Sequence, residues 1–382
     1  MNTEIPLAWP QFDDGEREAL LEVLQSHRWS VGEQLLGFER ELAQFARCAE
    51  GVGVNSGTMG LQIALEALGI GAGDEVIVPA YTFVGSVNAI LGAGAEPVLV
   101  DVDPISLNLD PTSVRAALGP RVKAIMVVHL FGRPADVATL QVIAEEHGLA
   151  LIEDACEAAG ALYRGQPVGA LGDIGCYAFY PNKPISAGEG GMLLLHDAER
   201  ALRCRQLRNQ GFDPPSGQHL RDHHGHSARL SEWHAAIGRA QLTRLEGSLT
   251  HRARLAAAYC QRLSADPRFE LPAPAAEGDR IAWFTFPLRL RPDLAEHRDT
   301  LISSLRQRGI GCGTYFTPVH HLPFHRQRYR QVDLAVSEDV GRRCLALPLH
   351  HQVDDVALER ICEQLAQTLH QLTNINPVGS QL

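Results

Sequence analysis

The sequence contains very little lysine. Only Lys123 and Lys183 occur, against a combined lysine and arginine count of 34 in 382 residues. A bias of this size is most simply genomic, but an arginine cannot replace a lysine amine in imine formation. Lys123 opens an apolar run and is interpreted as a cation at the mouth of a strand. Lys183 lies between an aromatic stretch and a glycine-rich one, which indicates a functional site.

Other absences exclude whole classes of protein. The eight cysteines include no CxxC pair, so neither a disulfide framework nor a structural zinc site is expected, and a reducing cytoplasm fits better. No apolar run reaches about 18 residues, so no transmembrane helix is expected. Residues 1–14 lack the pattern of a signal peptide. The formal net charge of -11 argues against general binding to nucleic acid or to an anionic membrane.

Histidine is abundant, with 17 residues, and part of it is clustered. None of the clusters has the HExxH spacing or another clean metal-ligand spacing, so we interpret them as polar loops and predict no metal. The clustered residues are His219, His223, His224 and His226, and further on His320, His321 and His325.

Short strand-like runs alternate with helical periodicity over the first two thirds of the chain. Strands are predicted at 75–78, 97–100, 124–128, 150–152, 176–179 and 192–195. Helices are predicted at 16–24, 35–45, 59–68, 84–91, 137–147 and from about 231 into the 260s. Strands that recur between helices predict parallel βαβ units, and therefore an α/β fold.

The pattern changes near residue 250. An alternating stretch at 282–290 predicts an antiparallel strand, and helices are expected at 299–307 and 353–369. We therefore predict two domains: residues 1–250 form a large domain with N-terminal helices, and residues 251–382 form a smaller α+β domain.

Four segments point to one cofactor. Thr58 follows a glycine at a predicted helix start, which is a ready phosphate site. Phe83 lies just past a strand end, where an aromatic ring could stack on a planar ligand. Asp154 ends an apolar strand, at the sheet edge where ligands gather, and a buried carboxylate there needs a cationic partner. Lys183 is the Schiff-base candidate. A protonated pyridine nitrogen would satisfy Asp154, which indicates pyridoxal 5'-phosphate (PLP).

These segments resemble the DegT/DnrJ/EryC1/StrS family of PLP-dependent nucleotide-sugar aminotransferases. The resemblance covers roughly residues 8–370 and is carried by VPAYTF at 78–83, VLVDVD at 98–103, VHLFG at 128–132, EDACEA at 153–158, the stretch 182–191, and AAIGRAQL at 235–242. It implies the aspartate aminotransferase type of fold (fold type I), with a mostly parallel large-domain sheet and a smaller α+β C-terminal domain. It also implies a homodimer whose active site is shared between subunits.

The resemblance also implies roles for individual cofactor residues. Lys183 would form the Schiff base and later shuttle a proton. Asp154 would pair with the pyridine nitrogen, and Phe83 would stack on the ring. Thr58 and the backbone of Met59 would hold the phosphate.

Three further residues are implied on the ring and substrate side. Glu157 falls beside the ring hydroxyl and resembles the perosamine-synthase branch of the family. His320 matches a substrate-side histidine near the small domain, in a segment that begins at Tyr315.

Two positions depart from the family pattern. Ala178 stands where the family usually has a serine that contacts the phosphate. Ser227 stands where an asparagine reaches the phosphate of the neighbouring subunit. Because a lost hydrogen bond to a charged group costs about 1.5–3 kcal/mol, we expect weaker PLP retention than is usual for the family. Arg229 could compensate as a nearby cation.

The implied reaction is a transamination in two halves. Glutamate would donate its nitrogen, and a 4-keto-6-deoxy nucleotide sugar would accept it. Two alternatives stay open. One is a PLP enzyme of another outcome, such as a dehydratase or an enzyme like the aminohydroxybenzoate synthases, whose N-terminus residues 8–14 resemble. Lys183 argues against the dehydratase branch, where the family has histidine. The other is a non-catalytic regulatory protein.

Overall fold

Strands and helices alternate along the chain in the computed structural model, which describes residues 4–213, 216–219, 224–329 and 334–374. The strands are β1 (Glu50–Val54), β2 (Glu75–Pro79), β3 (Glu96–Val100), β4 (Val122–Val128), β5 (Ala150–Asp154), β6 (Leu162–Tyr163), β7 (Gln166–Pro167), β8 (Ile174–Ala178), β9 (Gly191–Leu195), β10 (Phe212–Asp213), β11 (Gln218–His219), β12 (Phe269–Glu270), β13 (Phe286–Leu290) and β14 (Cys344–Leu347). The helices are α1 (Asp14–Ser26), α2 (Glu33–Phe45), α3 (Gly57–Ala67), α4 (Val84–Gly92), α5 (Pro111–Ala116), α6 (Val137–His147), α7 (Ala198–Leu207), α8 (Glu232–Leu242), α9 (Leu245–Leu263), α10 (Arg298–Gln307), α11 (Pro323–Arg326), α12 (Ala335–Arg343) and α13 (Asp355–Asn374).

A seven-stranded sheet forms the centre of the large unit, in the order β1-β9-β8-β5-β4-β2-β3. The pairs from β8 to β3 are all parallel, whereas β9 runs antiparallel to both β1 and β8. Helices cover both faces, which is why β4 reads as an almost continuous apolar run with Lys123 as its one exposed residue. The predicted α/β class with a mostly parallel sheet is confirmed.

The edge strand β1 was not predicted from the sequence, because it contains two glycines. A Cβ on Gly51 would lie 2.4 Å from the carbonyl oxygen of Glu39, so glycine lets α2 pack directly on this strand. Glycine inside a strand usually marks such a close approach, but the sequence alone shows only a weak strand former.

Two predicted elements differ in extent. The helix expected from residue 231 is two helices, α8 and α9, and core leucines lie on both sides of the break, so the apolar pattern carries no sign of it. The strand expected at 282–290 begins only at Phe286. Ala282 and Phe284 instead donate their N–H groups to the carbonyl oxygens of Gly132 and Phe131 in a loop of the large unit, at 2.9 and 3.0 Å.

The domain boundary near residue 250 stays a prediction, and it falls inside α9. Leu245 and Leu249 of this helix pack in a core beside the large sheet, whereas Leu255 and Tyr259 pack in the core around β13 and β14. Ile5 packs in the second core as well, so the first described residues contact the C-terminal unit. Within the described ranges, no helix is both long and apolar enough to cross a membrane.

Candidate active site

A cavity of about 390 Å³ opens at the carboxyl ends of the parallel strands. Strands β4, β5 and β8 end at its wall, as does the turn after β2, so the topology brings distant segments together here. Six of the side chains predicted for the site line this cavity: Thr58, Phe83, Asp154, Glu157, Lys183 and Tyr315.

Asp154 is the last residue of β5 and is only 7 % exposed. Its Oδ2 accepts a hydrogen bond from Ser86 Oγ at 2.7 Å, and its Oδ1 accepts one from the Cys156 N–H at 3.1 Å. Ser86 lies in α4, and nothing in the sequence indicates that it would meet Asp154. The carboxylate is thus held in one orientation by neutral donors, while a cationic partner for it is still lacking among the described residues.

Lys183 and Glu157 form an ion pair in the cavity. Lys183 Nζ lies 3.6 Å from Glu157 Oε1 and 4.2 Å from the ring centre of Phe284. The other oxygen of Glu157 accepts the Phe131 N–H at 2.8 Å. Burial raises the pKa of Glu157, and the nearby Lys183 opposes this only in part. Sequence reasoning missed Phe284, because it lies about a hundred residues further along the chain.

Glu153 anchors β5 from the opposite face, since successive strand residues alternate. Its Oε2 lies 3.0 Å from His129 Nε2 and accepts the Gly169 N–H at 2.8 Å. Its Oε1 accepts the N–H groups of Leu171 and Gly172 at 2.6 and 2.7 Å. Burial alone would raise the pKa of Glu153, but the hydrogen bonds from His129 and the backbone hold it below its usual value. This fully satisfied carboxylate fixes the strand end that carries Asp154.

The N-terminus of α3 forms another part of the wall. Ser56 caps the helix, and its Oγ accepts the Met59 N–H at 3.2 Å. The Met59 N–H therefore already has a partner, and Met59 does not line the cavity, whereas Thr58 does. A Cβ on Gly57 would lie 2.8 Å from the Cβ of Ala178, so glycine lets β8 approach the helix terminus closely.

Aromatic side chains form one side of the cavity. The ring of Phe83 is 55 % exposed, and its centre lies 5.9 Å from that of Phe316. Tyr315 stacks on Phe316 with ring centres 5.1 Å apart. Tyr81 Oη donates to the Tyr315 carbonyl oxygen at 2.6 Å and accepts the Phe316 N–H at 3.1 Å. Phe83 thus has an open ring face, and Tyr81 fixes the backbone of the segment opposite it.

Besides Met59, three predicted residues do not line this cavity. His320 is buried outside it, with Nε2 3.2 Å from Glu338 Oε1. Arg229 donates from Nη1 to Asn209 Oδ1 at 2.8 Å and from Nη2 to Ser227 Oγ at 3.1 Å. Their predicted roles, at the substrate and in a neighbouring subunit, stay predictions.

Of the histidine clusters, His223 lies outside the described residues. His320, His321 and Glu338 place their ligand atoms within 4.8 Å of one another. However, the Nδ1 of His320 is buried without a hydrogen-bond partner among the described residues, whereas metal-bound histidines usually have their second ring N–H held. A hydrogen-bonded pair between His320 and Glu338 explains this geometry without an ion.

Comparison with known proteins decides the family. The model of the DegT/DnrJ/EryC1/StrS aminotransferase family matches residues 10–366. This chain belongs to that family. It is accordingly an aminotransferase of the α/β fold that the sequence predicted.

Three relatives illustrate the range of this aminotransferase family. GDP-perosamine synthase of Caulobacter vibrioides is 38 % identical over 368 residues, which is 96 % of this chain and 98 % of the relative. The pleiotropic regulatory protein of Geobacillus stearothermophilus is 35 % identical over 350 residues, which is 91 % of this chain and 92 % of the relative. The crystal structure of S. venezuelae DesV in complex with a ketimine intermediate superposes with a TM-score of 0.86 at 36 % identity, covering 93 % of this chain and 94 % of that one.

Proposed function

We propose that this protein is a PLP-dependent aminotransferase that transfers an amino group from glutamate to a nucleotide-linked keto sugar, with a 4-keto-6-deoxy sugar as the acceptor. The observation that carries the proposal is that the Lys183 amine and the Asp154 carboxylate line one cavity at the carboxyl edge of the sheet. The likeness to GDP-perosamine synthase supports the class of acceptor.

The cavity residues fit PLP. Asp154 is a buried carboxylate with neutral donors only, which suits a protonated pyridine nitrogen. The N-terminus of α3 suits a phosphate, because helix N-termini offer N–H groups and a positive dipole end. The Oδ1 of Asn182, in the same cavity, is buried without a hydrogen-bond partner among the described residues, so a ligand can still satisfy it.

The chain's own residues then have distinct tasks. Bound PLP would supply an electron sink for negative charge at the substrate carbon. Lys183 Nζ would serve as the base that accepts and returns a proton, and the Glu157 carboxylate, 3.6 Å away, would stabilise a proton on Nζ. Ser86 fixes the Asp154 carboxylate in place, and that carboxylate would hold a proton on the pyridine nitrogen of bound PLP. Phe83, which lines the cavity, would cover one face of the cofactor ring and exclude water from it.

Replacing the two lysines separately tests the proposal. Lys183→Ala should abolish the visible absorbance of the lysine-bound cofactor and lower turnover by at least about a thousandfold, because the proton-transfer base is lost. Lys123→Ala is the matched control, since Lys123 is exposed on β4. Transfer of labelled nitrogen from glutamate to a panel of keto-sugar nucleotides gives the turnover. Persistent transfer by Lys183→Ala would refute the assignment.

We propose further that the enzyme is a homodimer in the cytoplasm. Ser227 and Arg229 lie apart from this chain's own cavity, which supports a role in the site of a neighbouring subunit. The eight cysteines are free thiols, as a reducing compartment allows. Sedimentation with and without PLP gives the oligomeric state, and a monomer that retains full turnover would contradict the shared site.

A second candidate function is regulation without turnover. The relative named as a pleiotropic regulatory protein supports it. Intact Lys183 and Asp154 favour catalysis instead. Visible absorbance that appears with PLP but gives no labelled product with glutamate and any keto sugar would favour regulation.

A further inference from the structure

A second cavity, of about 300 Å³, shares a single lining residue with the cofactor cavity, and that residue is Lys183. We call it the basic pocket, because its lining includes five basic side chains and neither aspartate nor glutamate. These side chains are Lys183, Arg244, His251, Arg252 and His351.

Arg252 is the least compensated cation of the basic pocket. Its side chain is buried, and its Nη1 donates to the carbonyl oxygens of Trp283 and Phe284 at 3.0 and 3.1 Å. Within the described ranges, no carboxylate lies at ion-pair distance from it. Burial lowers the pKa of Arg252 to about 10, so the group is still charged at neutral pH. A buried charge without a counter-ion is costly, and an anion in the pocket would relieve that cost.

The other basic groups of the pocket differ in how far their charge is compensated. Arg244 is already paired with Asp13 and Glu16. Burial, followed by repulsion from His251 and the two arginines, lowers the pKa of His351. The Nε2 of His251 is buried without a hydrogen-bond partner among the described residues. A carboxylate oxygen would be a suitable partner for that nitrogen.

The cofactor cavity has the opposite balance. Asp154, Glu157 and Glu189 line it, and Lys183 is the only basic side chain that the described residues place there. Away from the helix N-terminus, the cavity therefore repels carboxylates. We propose that the basic pocket binds the carboxylate groups of the dicarboxylate amino donor, next to Lys183. This inference rests on the proposed function, since it concerns the donor of that reaction.

The two cavities are also joined through the backbone. Arg252 holds the carbonyl oxygen of Phe284, and the ring of Phe284 packs against Lys183 Nζ. An anion bound to Arg252 would therefore lie close to Phe284, whose ring contacts the reactive amine of Lys183. The donor carboxylates and the reacting carbon would thus have separate, adjacent places.

A charge placed in the basic pocket tests the proposal. Ser248 lines it from α9, and Ser248→Glu adds a carboxylate there, whereas Thr250→Glu adds the same charge at an exposed position of the same helix. Ser248→Gln controls for size. The probe is glutarate, a dicarboxylate that has no amino or keto group to react. Its binding to the PLP-saturated protein is measured by calorimetry at constant ionic strength, beside inorganic phosphate and butyrate.

We expect glutarate to bind the wild-type protein, Thr250→Glu and Ser248→Gln within about twofold of one another, and Ser248→Glu at least about tenfold more weakly. In Ser248→Glu, the KM for glutamate should rise, while the KM for the keto sugar should be unchanged. If Ser248→Glu does not fold, His251→Leu replaces it in the experiment, and its affinity for glutarate should be several-fold lower than that of the wild type.

Equal binding of glutarate by Ser248→Glu and Thr250→Glu would overturn the proposal, as would binding of phosphate in the absence of glutarate binding. Because glutarate binding does not require turnover, the pocket can be verified even if labelled nitrogen never reaches a sugar. In that case the binding of dicarboxylates by the basic pocket would stand, and the assignment of the reaction would fall.

Discussion

Two buried carboxylates close to the end of β5 behave in opposite ways. Glu153 accepts three backbone N–H groups and contacts His129, and its pKa lies below the usual value. Glu157 accepts one backbone N–H group and lies 3.6 Å from Lys183 Nζ. The pKa of Glu157 is above the usual value for a glutamate. Burial is the largest influence on both, so the number of hydrogen bonds decides the direction. A carboxylate left partly unsatisfied marks the reactive side of the strand, and a satisfied one marks the structural side.

The largest effect is expected on the satisfied side. Glu153→Gln should lower the free energy of unfolding by about 3–5 kcal/mol at neutral pH, because an amide cannot accept all of these donors and brings its own NH₂ group against them. Chemical denaturation of the cofactor-free protein measures the loss. Glu145→Gln, at an exposed position of α6, is the matched control.

The pH dependence of Glu153→Gln follows from the lowered pKa. Stability from Glu153 is fully present above its unfolded pKa of about 4.3 and is lost as the pH falls through the folded pKa. The difference between wild type and Glu153→Gln should therefore shrink at acid pH. A loss below about 1 kcal/mol at neutral pH would break the contrast between the two carboxylates.

Glu157→Gln should have a smaller effect of the opposite sign. Because the folded pKa of Glu157 is raised, the native state binds the proton more tightly, and the wild type loses stability as the pH rises from about 4.3 through the folded value. The variant lacks this loss, so at neutral pH it should be more stable by about 1 kcal/mol or less. The same denaturation series from about pH 4 to about pH 8 measures it. If the stability of Glu157→Gln relative to the wild type were lower at neutral pH than at acid pH, the predicted direction of the effect would be wrong.

The contrast between these carboxylates also shows which parts of the site could be predicted from the sequence. Asp154 and Lys183 were predicted because a polar residue at a strand end and a rare lysine are local signals. Ser86 and Phe284, which orient Asp154 and Lys183, come from segments 68 and about a hundred residues away. Only the folded chain brings such residues into contact. The basic pocket escaped prediction for the same reason, since its histidines and arginines are common surface residues in any local reading.

A further effect is expected on the reactive side, at the phosphate end of the cavity. Ala178 is 9 % exposed, lines the cavity and packs against Gly57 at the start of α3. The wall therefore lacks a hydroxyl at a position where a charged phosphate would accept one. Ala178→Ser should tighten PLP binding by about 1.5–3 kcal/mol at most, since that is the range for one hydrogen bond to a charged group.

Titration of the apoprotein with PLP, followed by visible absorbance, gives the affinity of wild type and Ala178→Ser. Ala198→Ser, at the exposed start of α7, is the matched control and should bind PLP as the wild type does. If the wild type already binds in the low-nanomolar range and Ala178→Ser adds nothing, the α3 N-terminus satisfies the phosphate alone. Among the described residues, Asp154, Glu157 and Asn182 would then be the groups left for the cofactor ring and the substrate to contact.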